Sequence, residues 1–505
     1  MSIRVRLIER GRAPSGDRPA GAAPRRLDGA RPRRTTDGNR PARLGAPAAP
    51  AAAIEPAPAA RLAAGRSSSA AFGALALFLV VLYTRPQDLV PSLAVLHLAF
   101  ALGLAAALFH ATDTLRRGEP IVRAGREVWL VGALLALGAA SIPFGLWPGG
   151  SFAVFTDQLV KVALAFVLVA HVVDTPARAR VLVSVLAAAG VYLAAGALYL
   201  VASGEASRYG GRAEGIVGGM FGDPNDLALS LVALMGLAGF EAIGSRSRAL
   251  RLLYVGAIGV MLAGVLSTFS RGGLLALLAA AAVGLGRVAR HGRGLALAGL
   301  VLLAGVAVAV APSGYSERAS SIVTGEDNGS IEARLTTLRH GVAILLEHPV
   351  VGVGLGNFRI AEGERHGFVG KWNEAHNAFI QIGAEIGWAG LAVYVALALA
   401  AVGNARAAAR RSRDPGLVGT AHGLETALVG FLVGAMFLSQ AYTWHFYILL
   451  GLSVALRRMA DAEAPGGAPR AEPAEGAPAG PVRLSRWSAR PAGRAAPRGA
   501  AEAGR

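Results

Sequence analysis

The chain has 505 residues, no cysteine, a formal charge of +18, 53% apolar residues and mean hydropathy +0.47. Without cysteine there are no disulfides and no thiolate metal sites, and the apolar share exceeds the roughly 45–50% of a soluble domain. The positive charge does not point to a nucleic acid: half of it lies in residues 1–69, where 14 Arg stand against 5 Asp or Glu.

Residues 1–69 are rich in Ala, Pro, Gly and Arg and have no apolar periodicity. They read as a disordered, basic cytoplasmic tail with at most a weak attraction to anionic lipid. No cleavable signal peptide is expected, because the first apolar run begins near Ala70, behind a segment too long for an n-region. From there to residue 458 the chain alternates apolar runs with short polar stretches, and 459–505 repeats the composition of the first tail.

The runs are about 17–22 residues long, the length of helix that crosses a hydrocarbon core of about 30 Å. They lack the period-two alternation of barrel strands, so each must be a helix that satisfies its own backbone. The expected fold is therefore all-α, a polytopic membrane protein with about twelve transmembrane helices. The spans fall near 70–84, 93–111, 128–146, 157–173, 181–202 and 225–243, then 251–269, 272–287, 294–312, 377–401, 421–440 and 443–457. Arginine clusters mark alternate connections: Arg116 to Arg126, Arg178 and Arg180, Arg246 to Arg251, Arg287 to Arg293, Arg406 to Arg413, and Arg457–Arg458 after the last span. By the positive-inside rule both termini face the cytoplasm, and the multi-pass chain belongs in a bacterial inner membrane.

One connection on the opposite, periplasmic side is far longer than the rest. Residues 313–376 form a soluble loop of a length that usually carries function. Within it Ile331, Leu335, Leu338, Val342 and Leu345 repeat at helical spacing, predicting an amphipathic helix from Ser330 to about Glu347 that ends before Pro349. The run Val351-Gly352-Val353-Gly354-Leu355-Gly356-Asn357-Phe358 is a glycine-rich turn without the strand–helix setting of a dinucleotide site.

Several polar residues fall on the same side. His376 stands where the loop enters the tenth span, as a helix cap or as a chemical group. Glu385 lies two turns into that span, where an acid needs a wet cavity or a partner. Arg271 occupies a minimal hairpin turn, either as an interfacial anchor or as a ligand for an anion. Arg334 and Arg339 are on the loop helix. Arg208 and Arg212 precede Phe221-Gly222-Asp223-Pro224-Asn225-Asp226, a turn and helix start by composition. Guanidinium forks suit diphosphate oxygens, and imidazole suits general-base work near neutral pH. A small-anion or lipid transporter is the competing class, for which Lys161 and Glu385 are the main mid-membrane charges, without two-half symmetry to support it.

The pattern resembles the O-antigen ligase and polymerase superfamily. The matching pieces are Phe221-Gly222-Asp223-Pro224-Asn225, Ser270-Arg271-Gly272, Ala333-Arg334-Leu335 leading into His348-Pro349 through Asn357-Phe358, and His376-Asn377 followed by Glu385-Ile386-Gly387. The resemblance implies a GT-C-like membrane fold and glycan transfer from undecaprenyl diphosphate to an acceptor on a saccharide, lipid A core or protein, with neither metal nor nucleotide cofactor. It places the essential set on His376, Arg271 and Arg334, with Arg339 an alternative to Arg334 because Leu338-Arg339-His340 departs from the usual pattern. Arg212, Asn225, Arg339, Asn377 and Glu385 are expected to contact substrate. A sugar polymerase of the same superfamily is the nearest alternative.

Overall fold

A computed structural model describes residues 66–206, 211–289, 328–365, 367 and 372–463. The predicted span at 294–312, Arg208, residues 313–327 of the loop and nearly all of both tails lie outside them. Among the described residues there is no strand. The helices, in chain order, are α1 (Ser69–Thr84), α2 (Leu98–Arg116), α3 (Arg126–Ser141), α4 (Pro148–Val154), α5 (Val160–Val172), α6 (Pro176–Ala202), α7 (Pro224–Gly244), α8 (Arg248–Ser267) and α9 (Arg271–Ala289). They continue with α10 (Asn328–Glu347), α11 (Phe358–Arg365), α12 (Ala378–Arg411), α13 (Pro415–Ala435) and α14 (Trp444–Ala462).

Among the described residues, 10 helical segments are long and apolar enough to cross a membrane, so the polytopic all-α expectation holds. α14, the predicted twelfth span, carries Arg457, Arg458 and Asp461 in its last turns and falls outside that set, although most of its length is buried in the bundle. Helix starts follow local chemistry. Thr175, Asp223 and Asp414 accept backbone N–H groups of the first turn, and each is followed by a proline whose fixed φ suits that position. The last of these moves the eleventh span to Pro415–Ala435, ahead of the predicted 421–440. Residues 436–443 are thereby released from helix and form a link that proves central below.

α7 is the axis of the bundle: 78% of its apolar window is buried, against 11% for the segment containing α2. It packs against α13, α8 and α9. α8 and α9, although joined by a three-residue turn, lean on α7 and scarcely on each other.

The tenth span is one helix by hydrogen bonding but not in direction. Gly387 breaks α12 with φ 79° and ψ −174°, a conformation essentially reserved for glycine. Phe379 and Tyr394 have ring centroids 5.5 Å apart, whereas 15 residues of straight helix would separate them by about 22 Å along the axis. The helix is therefore sharply bent into an arm of residues 378–386 and a membrane-crossing part from 388 to 411.

The glycine-rich turn fills this break. Trp388 N donates to Pro349 O at 2.9 Å, Val353 N to Ala384 O at 2.9 Å and Gly354 N to Glu385 O at 3.1 Å. A Cβ on Gly352 would lie 2.3 Å from the Glu385 carbonyl carbon, so the close approach admits only glycine. Asn357 then ties the turn to α4, its amide donating to Ser151 Oγ at 3.1 Å.

The loop helix α10 begins at Asn328, two residues before the predicted cap Ser330. Its buried face carries Thr337, Gly341, Ile344 and Leu345, while Leu335, Val342 and Leu346 are 48%, 39% and 62% exposed. The predicted apolar stripe is thus divided, one side packed on the α12 arm and the other left bare.

Candidate functional site

The site is assembled around the link between α13 and α14, because three sequence-distant segments hydrogen-bond or pack there. His376 N donates to Ser439 Oγ at 2.9 Å. Gln440 Nε2 donates to Asp226 Oδ1 at 2.6 Å, and Ala441 N to Gln381 Oε1 at 3.3 Å. Tyr442 OH donates to Glu385 Oε2 at 2.6 Å. Gly272, next to Arg271, lies against the Phe437 side chain.

His376 is half-buried and has φ 48°. That left-handed conformation is uncommon for a residue with a Cβ and persists only where its surroundings enforce it. Here the enforcement is local: Ser439 holds the backbone N–H of His376, and the next residue caps α12. Asn377 Oδ1 accepts from Phe379 N at 2.9 Å and Ile380 N at 3.0 Å. Phe269, two residues before Arg271, also has positive φ, 50°. Two of the four non-glycine residues with positive φ among the described residues therefore adjoin the two segments that carry His376 and Arg271.

Arg271 opens α9 and is half-buried. Arg212 reaches the same turn: its Nε donates to Thr268 O at 2.8 Å and its Nη2 to Asn225 Oδ1 at 3.0 Å. Ala213 N donates to Ser267 O at 2.9 Å. Arg212 and Asn225 thus join the loop before α7 to the α8–α9 turn. Asp226, one residue on, connects that assembly through Gln440 to the His376 segment.

The packing also separates the two loop arginines. A Cβ on Gly341 would meet Ile380, and one on Gly383 would meet Leu345, so α10 and the α12 arm run side by side in the same direction. Followed back toward both N-termini, this register runs from Gly341 to Thr337 on α10 as the arm runs back from Ile380 to its start at Ala378. Arg334 falls about 4–5 Å beyond Thr337, at 1.5 Å per residue. Arg334, half-buried, lies nearly two full turns from Gly341 and so on its side of the helix, while Arg339 is exposed on the opposite side.

Two acids hold this frame. Glu385 is 1% exposed and takes hydrogen bonds from Tyr442 OH and from the backbone N–H groups of Gly356 and Phe358. Burial and the adjacent Glu385 carboxylate push the Tyr442 phenol well above its usual range, which keeps it a donor. Glu362 on α11 is fully buried and accepts from Asn373 N at 2.8 Å, with His340 Nδ1 at 3.7 Å. It fixes the strap that leads to His376 against α10. Glu362, Ser439, Gln440 and Tyr442 are absent from the sequence-derived set, as is any role for Asp226 beyond the helix start.

A protein-family model described as O-antigen ligase matches residues 256–395. The match includes Arg271, Arg334, Arg339, His376, Asn377, Glu385 and Gly387, and excludes Arg212, Asn225 and the 436–443 link. A comparison with curated proteins finds no match. The chain is thus a multi-pass helical membrane protein whose residues 256–395 are similar to the O-antigen ligase family.

Proposed function

We propose that this O-antigen ligase-like membrane enzyme moves a preassembled glycan from undecaprenyl diphosphate to an acceptor hydroxyl on a saccharide, lipid A core or protein. The acceptor oxygen attacks the anomeric carbon, the bond from that carbon to the diphosphate oxygen breaks, and undecaprenyl diphosphate leaves. His376 takes the acceptor proton. Arg271 and Arg334 hold the diphosphate and stabilise the charge that develops on it. The reaction needs no metal, because the guanidinium groups supply that stabilisation. The arginine asymmetry of the connections supports placing this face in the periplasm and both termini in the cytoplasm.

The observation that carries the proposal is the convergence on one link of the strained His376, the Arg271 turn and the Arg212–Asn225–Asp226 assembly. In this account Arg212, Asn225, Asn377 and Glu385 shape the site, since their described partners are protein groups. Reconstitution with an undecaprenyl-diphosphate glycan and a sugar acceptor tests it. Arg271→Lys keeps the charge but loses the planar fork, so it should turn over more slowly than wild type at saturating acceptor. Wild-type turnover by Arg271→Ala would remove the diphosphate role.

A further inference from the structure

A cavity with a volume of about 470 Å³ lies between α1, α2 and α5, and His376 is not among the residues that line it. Its walls are apolar, formed by Phe78, Leu82, Leu104, Leu168 and the ring of Trp444. Its rim is not. Arg85, His97, Asp157 and Lys161 all line it.

Three independent irregularities converge on this rim. Arg85 and His97 are both non-glycine residues in the left-handed region, with φ 44° and 43°. Together with Phe269 and His376 they complete the set of such residues among those described. Asp157 sits in a π-helical turn, Phe155–Leu159, that joins α4 to α5, and such turns concentrate at functional sites. One helical turn on, Lys161 Nζ is 2.9 Å from Asp157 Oδ1. That pair points outward, with side chains 44% and 69% exposed. On the wall of a membrane-embedded bundle, an outward ion pair is costly unless polar groups cover it.

We propose that this cavity holds one phospholipid with a phosphoethanolamine headgroup. The apolar walls take an acyl chain. The rim offers charges of both signs close together, since Arg85 is likewise paired, with Asp88 at 2.6 Å. A headgroup that carries only negative charge would meet Asp157 and Asp88 as well as the cations. A phosphoethanolamine group matches both signs, its phosphate toward Lys161 and Arg85 and its ammonium donating to Asp157. A quaternary choline ammonium has no N–H to donate.

The site would also steady the working face. Asp88 accepts from Gly218 N at 2.8 Å, and Arg85 packs on Gly219, just before the segment that carries Asn225. Trp444 begins α14, directly after the link that holds His376.

The full chain is tested in nanodiscs of equal phosphatidylethanolamine, phosphatidylglycerol and phosphatidylcholine, followed by detergent release and native mass spectrometry. The expected result is one retained phosphatidylethanolamine, preferred over each of the others by up to about fivefold, the size of one partly exposed ion pair. Asp157→Asn should abolish the preference over phosphatidylglycerol, and Asp157→Glu should keep it. Lys161→Gln should lower retention of both lipids. Asp157 is largely exposed and Lys161 partly so, and neither belongs to the packed core, so these variants leave that core intact. Equal retention of the three lipids by the wild-type chain, an unchanged preference in Asp157→Asn, or undiminished retention in Lys161→Gln overturns the proposal.

Discussion

The bend at Gly387 links the fold most directly to the site, and Gly387→Ala tests that link. The new methyl group would sit 2.5 Å from Val350 O and 2.7 Å from Pro349 O, both backbone atoms of the turn plugged into the break. The backbone conformation itself costs a non-glycine residue about 1–3 kcal/mol. Overpacking against a fixed backbone adds about 1–3 kcal/mol more. The combined cost of about 2–6 kcal/mol is a large fraction of ordinary stability. The least costly relief is withdrawal of the plug, which would also release the arm that holds His376. Thermal unfolding in detergent should therefore show a clear drop in melting temperature, and transfer activity should fall in protein that has inserted normally. Gly403→Ala serves as control, because a Cβ there meets nothing within 4 Å and alanine is the better helix former. If Gly387→Ala melts and turns over like the control, the plug does not hold the arm.

Tyr442→Phe should lower stability by about 1–3 kcal/mol in chemical denaturation, because the buried Glu385 carboxylate loses a donor. Asn377→Ser should keep most activity and Asn377→Ala lose about 1 kcal/mol of stability, as for a helix cap; equal loss of activity in both would instead mark substrate contact. Arg339→Ala should turn over normally while Arg334→Ala is impaired, measured side by side in reconstituted protein; the reverse ranking would exchange their roles. Cysteines replacing the exposed Glu364 and Arg413 should label from opposite sides of the membrane, and labelling of both from one side would contradict the proposed topology.

The spans were legible because a run of 17–22 apolar residues has few physical alternatives, and His376, Arg271 and Arg334 were legible as short motifs. The link was not. The helix beginning at Pro415 opens with Gly-Leu-Val-Gly-Thr-Ala-His-Gly and carries Glu425, so its hydropathy rises late and the predicted span slid toward the residues that form the link. Its contacts also join positions far apart in sequence, Gln440 to Asp226 across 214 residues and Tyr442 to Glu385 across 57, and no local pattern records them. The Glu385-Ile386-Gly387 motif was visible as an acid and a glycine interrupting a span. That the glycine-rich turn enters the break, with Glu385 taking its N–H groups, depends on tertiary packing. The same packing selects which face of α10 is buried, a choice that apolar spacing placed one stripe away.

The central claim is that His376 takes the acceptor proton at the face organised by the 436–443 link. The direct measurement is the single-turnover rate of glycan transfer by His376→Ala in reconstituted protein, with a chelator present and the lipid-linked donor bound. The account predicts a fall of about 10²–10⁴-fold, the usual general-base contribution, with normal insertion, normal melting and retained donor binding. A His376→Ala protein that transfers glycan at the wild-type rate would contradict it and leave the strained histidine a structural corner of the strap.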